Sequence, residues 1–528
     1  MVDGRPQGEI VLSTTAGVDE RLAAAELQSY VRAMSGAVLP IRTADGPAQA
    51  RTSVRIGLIG SDSIAGWNGA PPAGEGFSLD VAEGELRIIG ATGRGALNGV
   101  YDFLESDLGV RWFMPGELGE DVPIRTDVRL PRESRTRKPA FSAVGGFIWA
   151  GGPGAADWER RARARVGDAT AFFGHAWNRI IAPTAANKAQ NPEWFALENG
   201  VRTNQLCSAH PDVVRISIEK ARAFFDANPL AEVFSVSPND GYGFCQDSRC
   251  QAVDQLYPGG NLSDRLVHYA NAVLGELEKT HPGKKVGILA YVDHTPPPVV
   301  ARPRPGYVTL LTHMPWEFCH AHPIDDPSCA PNARFRSYID GWRQRAAHVG
   351  VYDYYGHFYA FTPWPIVHSI RRDLPLLNHL GVDRFMSETQ QHWATQGLNF
   401  YVGAKLAWDP AQDPDALLAD YYRRFYGGAE VPMRRYWECW EESMVATAQP
   451  EDYGYAWQRM MTPELVAGCG RFLGEAETLA RGDTPKVEKR VALARLGHDF
   501  TEAWTRMRTH GERAEWALAV AAGEEAIR

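Results

Sequence analysis

The amino-acid sequence predicts an α/β protein with a central (β/α)8 TIM barrel, a small N-terminal α/β domain and a C-terminal helical domain. Three observations predict this fold class. Short apolar runs recur from about residue 141 to 406, and each is followed by polar or aromatic residues. Helix-like segments separate several of these runs, and eight β-then-α units over about 270 residues match a barrel in count and length. After residue 410 the strand signals vanish, so we place the domain boundaries at 1–135, 136–425 and 426–528.

The N-terminal region alternates strand and helix signals. Residues 9–12 have strand composition, and a helix is expected from about Val18 to Gly36, where glycine ends it. Further strands are expected around 38–41, 54–59, 76–81 and 86–90, with a second helix over about 94–107. This domain shows no obvious chemistry.

The central region supplies the eight strands of the predicted barrel. Helix-like segments at 263–279 and 332–347 lie between some of them. The third strand is the weakest in composition. The expected strands are 141–148, 169–173, 205–208, 233–237, 286–292, 308–312, 349–352 and 384–387.

The C-terminal region is rich in Glu, Ala, Leu and Arg. Helices are expected over 414–425, 433–446, 463–481 and from 486 to the end. They are expected to pack on the barrel.

Composition excludes several function classes. The net charge of −9 argues against a nucleic-acid partner, and no run of 18 apolar residues exists to span a membrane. The first residues lack the pattern of a signal peptide, which predicts a cytoplasmic location unless an export segment has been removed. Seven cysteines leave at least one thiol unpaired, and neither Cys245 with Cys250 nor Cys319 with Cys329 has the C-x-x-C spacing of a zinc site. We therefore expect no metal and no cofactor, and the oligomeric state stays open.

The stretch from Val233 to Cys250 is the focus of the functional prediction. A buried-strand composition gives way to Asn239-Asp240-Gly241, and the carboxyl ends of barrel strands are where catalytic groups lie. Pro-Asn-Asp-Gly is also an ordinary turn sequence. We interpret Asp240 as a catalytic carboxylate and Asn239 as its positioning partner.

The other strand ends predict a rim rich in carboxylates and aromatic rings, which is typical of glycoside hydrolysis. The sequence has no serine nucleophile elbow and no H-E-x-x-H motif. Each rim residue also has a structural interpretation, as an ion pair or a satisfied core group. The predicted catalytic residues are Asp240, Glu388, Asn239 and Glu317, with one of Asp240 and Glu388 as the general acid. The predicted substrate-binding residues are His175, His210, Tyr242, Tyr291, Asp293, His294, His313, Trp316, Asp353, Tyr355 and Trp393.

Several segments resemble known families. ELQSYVRAMSGAVLPI and RGALNGVYDFLESDLGVRWFMPGELGEDVP resemble the domain that precedes the barrel in alpha-glucuronidases. SVSPNDGYGFCQDSRC, ILAYVDHTPPP, VYDYYG and YVGAKLAWDP resemble domain of unknown function 4838, which is associated with glycoside hydrolase family 163. The chain departs from that pattern where Gln246-Asp247 replaces a further cysteine.

The resemblance implies a retaining endo-β-N-acetylglucosaminidase acting on N-glycans. Its substrate would be an oligosaccharide or the glycan of a glycoprotein. In such enzymes the 2-acetamido oxygen of the sugar attacks the anomeric carbon. Two alternatives stay open: an exo-acting glycosidase such as an alpha-glucuronidase, and a non-catalytic glycan-binding protein.

Overall fold

The computed structural model describes residues 1–69, 73–148, 152–165, 174–356, 361–446 and 460–527. Within these ranges, no helix is both long and apolar enough to cross a lipid bilayer.

The N-terminal part is a mixed sheet with two helices on it. Helix Val18–Ser35 ends at Gly36, whose φ of 77° suits glycine, and it packs beside helix Gly93–Ser106. The six-stranded sheet has the order β2-β1-β3-β5-β4-β8, and β8 extends it beyond the predicted boundary. A separate two-stranded ribbon pairs β6 with β7. The strands are β1 (Gly8–Leu12), β2 (Ile41–Thr43), β3 (Thr52–Leu58), β4 (Phe77–Ala82), β5 (Glu85–Gly90), β6 (Arg111–Trp112), β7 (Glu120–Asp121) and β8 (Ser134–Arg137).

The central part contains a curled, wholly parallel sheet of six strands. Its order is β12-β13-β14-β15-β16-β9, so the first predicted barrel strand pairs with the last, as in a closing barrel. All six lie where the apolar runs predicted them, to within a few residues. They are β9 (Ala143–Ile148), β12 (Val233–Ser235), β13 (Lys285–Ala290), β14 (Tyr307–Thr312), β15 (His348–Tyr354) and β16 (Arg384–Glu388).

The third predicted barrel strand is wrong. Residues 205 and 206 end β11 (Val201–Leu206), which pairs antiparallel with β10 (Phe195–Glu198) in a separate hairpin. The segment has too few apolar residues to be buried on both faces, so local pairing prevails. The second predicted strand, 169–173, lies outside the described residues. The structure thus shows a curled half-barrel of six parallel strands, and a complete (β/α)8 barrel is not confirmed.

Helices cover the outer face of this sheet. Helix Leu262–Leu277 has the predicted position, and its N-cap Asn261 forms a capping box with Asp264. The helix Trp393–Trp408 is buried from Thr395 onward because helices Val367–His379 and Pro485–Glu512 pack against it, and Phe77 of the N-terminal sheet stacks on Trp408. The remaining helices are Ala155–Arg161, Trp177–Ile180, Ala185–Gln190, Pro211–Ala227, Ser248–Gln255, Ala330–Arg343 and Val367–His379, with short 3-10 turns at Asp62–Ile64, Pro192–Trp194, Val292–His294 and Gly427–Ala429.

The C-terminal part is helical, as predicted. A disulfide joins Cys439 to Cys469 and so links two of its helices. Arg490 donates to the carbonyl oxygens of Leu118 and Phe425, which ties this part to the N-terminal one. The helices are Pro414–Tyr426, Glu430–Val445, Pro463–Ala480, Pro485–Glu512 and Trp516–Ile527.

Candidate active site

The loop after β12 is fixed by the side chain of Asn239. Its Oδ1 accepts from the backbone N–H of Asn178 at 2.7 Å, and its Nδ2 donates to the carbonyl oxygen of Asn204 at 2.7 Å. The side chain of Gln205 also binds the backbone of Asn239. Its Nε2 donates to the Asn239 carbonyl oxygen at 2.8 Å, and its Oε1 accepts from the Asn239 N–H at 2.9 Å. Both ends of the amide are therefore engaged with backbone, and Asn239 links its own loop to helix Trp177–Ile180 and to strand β11.

Asp240 projects from this loop toward solvent. Its side chain is 73% exposed, and its Oδ1 accepts the hydroxyl hydrogen of Tyr291 at 2.8 Å. The Nε2 of His175 lies 3.8 Å from the same oxygen. Since His175 Nδ1 donates to the carbonyl oxygen of Pro238 at 2.7 Å, Nε2 is the nitrogen that faces the carboxylate. Asp240, Tyr291 and His175 thus form one polar group at the end of β12 and β13.

Tyr291 is positioned by an uncommon backbone conformation. The next residue, Val292, has a φ of 42°, which is strained for a β-branched side chain and marks a sharp turn directly after β13. The ring of Tyr291 is 8% exposed and packs edge-on against His175 at 5.3 Å. Burial raises the pKa of Tyr291, and the hydrogen bond to Asp240 raises it further. The hydroxyl of Tyr291 therefore stays protonated and acts as a donor.

Glu388 ends β16 and receives a second tyrosine. The hydroxyl of Tyr352 donates to Glu388 Oε2 at 2.7 Å. Burial and the neighbouring Glu388 carboxylate raise the pKa of Tyr352. The ring of Tyr352 stacks on Tyr354 at 5.3 Å, two residues along β15 and on the same face. Trp316 lies beyond Tyr354, with ring centroids 6.4 Å apart.

Glu317 follows β14, between these two groups. Burial raises its pKa; the charge of Arg334 opposes this effect, and Asp293 adds to it. Arg334 also donates to the Glu317 carbonyl oxygen at 2.9 Å. Glu317 interacts electrostatically with Tyr291 as well. Because all these strands are parallel, their carboxyl ends lie at one edge of the sheet, so Asp240, Glu317 and Glu388 share a rim.

Two aromatic side chains of the rim face solvent. Tyr242 is 62% exposed and Trp316 is 46% exposed. Asp293 is also exposed. These residues are accessible to a ligand.

Asp353 and His313 lie on the opposite side of the sheet from the stacked tyrosines, against the helices. Asp353 Oδ1 is 3.1 Å from His313 Nδ1 and 2.8 Å from His320 Nε2, and all three side chains are buried. Burial alone would raise the pKa of Asp353, but the two imidazoles hold it well below its usual range. Burial lowers the pKa of His313, but Asp353, Asp373 and Asn332 together outweigh burial, so the net shift of the pKa is upward. Asp353 and His313, both predicted to bind substrate, thus form a buried polar cluster with His320.

Four other residues predicted to bind substrate cap a helix or pack in the interior. His210 caps helix Pro211–Ala227, accepting from the N–H of Asp212 at 3.1 Å. His294 is buried edge-on to Phe244, and burial lowers its pKa to about 3. Tyr355 is 2% exposed beside Phe385, and Trp393 packs between Trp158 and Phe400.

Sequence reasoning missed three contributors. His320 completes the Asp353 cluster, Arg334 faces Glu317 from helix Ala330–Arg343, and Cys207 joins Cys245 and Cys250. The sequence holds one signal for the Asp353 cluster. Strand alternation places Asp353 on the opposite face of β15 from Tyr352 and Tyr354. Among the residues that the structure describes, three groups of side chains have ligand atoms close enough together to hold a metal ion: Cys207, Cys245 and Cys250; Cys319, His322 and Cys329; and His313, His320 and Asp353.

Comparison with known proteins places the fold. Residues 114–438 match the family model described as domain of unknown function, DUF4838. A structure titled as a family GH115 4-O-methyl-alpha-glucuronidase with specificity for decorated arabinogalactans superposes with a TM-score of 0.65 at 12% identity, covering 100% of this chain and 76% of that one. A GH138 enzyme targeting pectin rhamnogalacturonan II gives a TM-score of 0.53 at 10% identity, covering 99% and 91%. No curated protein matches the sequence. At these identities the structural likeness is one of fold.

Proposed function

The chain belongs to the family of domain of unknown function 4838, and from this premise we propose that it is a glycoside hydrolase acting at the rim of the parallel sheet. The observation that carries the proposal is the grouping of Asp240, Glu317 and Glu388 at the ends of parallel strands, with Tyr291 and Tyr352 donating to two of them. Glycoside hydrolysis needs such a set, because one carboxyl must protonate the leaving oxygen while others meet positive charge at the sugar. Two solved structures of this fold are described as carbohydrate-active enzymes.

The electrostatics divide the roles. Glu317 has a raised pKa through burial, as a general acid requires, so we assign the acid role to it rather than to Asp240 or Glu388. Asp240 and Glu388 each accept a hydroxyl hydrogen, which orients the carboxylate and stabilises its charge. In the substrate-assisted form of the reaction, Asp240 accepts from the acetamide N–H and Tyr291 aligns it, while Glu388 faces the developing oxocarbenium charge.

The finer form of the proposal is a retaining endo-β-N-acetylglucosaminidase acting on N-glycans. The sequence resemblance to glycoside hydrolase family 163 supports it. So does the exposure of Tyr242 and Trp316, because flat aromatic faces on an open rim suit a longer oligosaccharide. The acetamide partner in this form is the Asp240–Tyr291 pair.

A second candidate is an exo-acting alpha-glucuronidase. The GH115 structure of the same fold favours it, and so does Arg334, an exposed guanidinium beside Glu317 that could bind a uronate carboxylate. Arg334→Gln should then raise KM for a glucuronide about tenfold or more and leave KM for an N-acetylglucosaminide unchanged. A non-catalytic glycan-binding protein is the remaining alternative.

The deciding experiment is hydrolysis of aryl N-acetyl-β-glucosaminides, aryl α-glucuronides and a complex N-glycoprotein by the wild-type chain. Glu317→Gln, Glu388→Gln and Asp240→Asn are compared with Glu219→Gln, a carboxylate on the exposed face of helix Pro211–Ala227. The proposal expects one substrate class to be cleaved and the three rim variants to lose about 100-fold or more in kcat/KM. Cleavage that persists in all three variants would place the chemistry elsewhere. Glycan binding without any cleavage would favour the binding protein.

A further inference from the structure

Three cysteine thiols converge behind the loop that carries Asp240. Cys207 follows the hairpin strand β11, while Cys245 and Cys250 lie at the end of the loop and in helix Ser248–Gln255. All three are buried, with exposures of 0%, 3% and 0%, and all are free thiols. Their sulfur atoms lie within 4.8 Å of one another. Such a meeting of segments 43 residues apart is not visible in the spacing of Cys245 and Cys250.

The separation of the sulfur atoms fits ligands of one metal ion. Cys207 Sγ and Cys250 Sγ are 3.6 Å apart, whereas a disulfide requires about 2.0 Å. Two thiolates at about 2.3 Å from a tetrahedral Zn²⁺ lie about 3.8 Å from each other. The observed spacing therefore matches thiolates around a shared ion.

Hydrogen-bond donors and one cation lie beside this group of sulfur atoms. The backbone N–H of Leu197 donates to Cys245 Sγ at 3.4 Å. The guanidinium of Arg265 donates to the Cys245 carbonyl oxygen at 2.7 Å and interacts with the Cys250 sulfur electrostatically. Thiolates are the form of cysteine that binds metal, and a nearby cation with backbone donors favours that form.

We propose that Cys207, Cys245 and Cys250 bind one Zn²⁺ ion, with an exogenous ligand such as water in the fourth position. Within the described part of the chain, no fourth Cys, His, Asp or Glu joins this group. The ion pins the loop to the hairpin, where Gln246 N–H already donates to the Leu197 carbonyl oxygen at 2.7 Å. Its role is to hold in place the loop that presents Asn239 and Asp240. The site is independent of the proposed glycosidase activity.

The first test is elemental analysis of the full chain, produced in zinc-supplemented medium and carrying no metal-binding tag. The proposal expects about one zinc per chain, its loss in Cys207→Ser and Cys250→Ser, and its retention in Cys319→Ser. Cys319 is the matched control because it belongs to the separate group with His322 and Cys329. Zinc that is retained in the first two variants but lost in Cys319→Ser would overturn the assignment.

A second measurement uses only the wild-type chain, in case the serine variants fail to fold. Chelator-treated protein is titrated with Co²⁺ alone, and a thiolate-to-cobalt charge-transfer band is expected, with a higher thermal midpoint once Zn²⁺ is added back. Absence of both zinc and cobalt binding would overturn the proposal. So would a Cys207–Cys250 disulfide found by peptide mapping of the unreduced protein.

Discussion

Tyr352 donates its hydroxyl hydrogen to Glu388 Oε2 across 2.7 Å, from the middle of one parallel strand to the end of its neighbour. Tyr352 is held by stacking on Tyr354, so the donor is fixed before substrate arrives. The pair resembles that of Tyr291 and Asp240, which lies at the ends of β13 and β12 in the same sheet. Two carboxylates of the rim are thus each oriented by a tyrosine of the sheet interior.

Tyr352→Phe tests whether this orientation matters. We expect kcat to fall about 10- to 100-fold with little change in KM, because losing one charge-assisted hydrogen bond costs about 1.5–3 kcal/mol. Steady-state kinetics on the productive aryl glycoside measure it. Tyr269→Phe is the control, since it also removes a buried tyrosine hydrogen bond, to Ser217 at 2.6 Å, but between two helices on the outside of the sheet. Equal losses in both variants would point to folding rather than to Glu388.

Glu317→Gln tests the general acid. In the wild type the raised pKa of Glu317 keeps it protonated above its usual range, so kcat should fall as pH rises through that pKa. The variant should be about 100- to 10,000-fold slower and lack this basic limb. The loss of activity in Glu317→Gln should be smaller on a dinitrophenyl glycoside than on other aryl glycosides, because the dinitrophenolate leaving group needs no proton. A pH profile that is unchanged in the variant would contradict the assignment.

The same residue makes a prediction for stability. A carboxyl whose folded pKa is raised contributes stability that is fully present below its unfolded pKa and is lost as pH rises through the folded value. The thermal midpoint of the wild type should therefore fall relative to that of Glu317→Gln as pH is raised through this range. Differential scanning fluorimetry across pH measures the difference.

Asp353→Asn tests the buried cluster. Removing one partner leaves the imidazoles of His313 and His320 without their carboxylate, so we expect a loss of about 3–5 kcal/mol in the free energy of unfolding at neutral pH. Urea denaturation measures it, with Glu219→Gln as an exposed control that should behave as the wild type. A neutral result would mean that the cluster is dispensable.

The acid dependence of the same variant follows from the sign of the shift. The folded pKa of Asp353 is depressed, so its contribution is present above the unfolded value of about 3.9 and is lost as pH falls toward the folded value. His313 acts in the opposite sense: its raised pKa gives stability that is lost as pH rises through it. In Asp353→Asn the free energy of unfolding should therefore depend less on pH than in the wild type, both at acid pH and as pH rises through the pKa of His313.

Trp316→Ala tests the exposed aromatic rim. We expect KM for an oligosaccharide to rise about tenfold, equal to about 1.4 kcal/mol, while KM for an aryl monosaccharide changes little. Trp516→Ala is the control, because Trp516 is 67% exposed on the last helix. A change of equal size on both substrates would mean that Trp316 shapes the reacting subsite instead.

Much of the fold was predictable because the pattern of apolar residues along the chain indicates most of its strands and helices. The runs that became β13 and β14 are buried on both faces and form continuous apolar segments, whose short length and β-branched residues favour strands over helices. Gln205 was placed in the barrel wrongly, because nothing local distinguishes a weak parallel strand from a hairpin strand. Its amide instead binds Asn239, a contact between segments 34 residues apart.

The positions of the candidate residues at strand ends were predictable from the sequence, and their burial and partners were not. Asp240, Glu317 and Glu388 do lie at strand ends, but the sequence gives no measure of burial, which is what raises the pKa of Glu317. Strand alternation shows that Asp353 faces away from Tyr352, yet its two histidines come from a loop after a different strand. Roles that depend on burial or on distant partners need the folded chain.

The pairing of β9 with β16 has a consequence for synthesis on the ribosome. Ser142, just before β9, contacts Asp383, just before β16, across 241 residues of chain. At about 5–20 residues per second, the free edge of β9 waits roughly 10–50 s for its partner to be made. An unpaired apolar strand is a site for misassembly during that interval. A chaperone that shields nascent chains should therefore raise the yield of full-length protein more than that of its C-terminal helices alone.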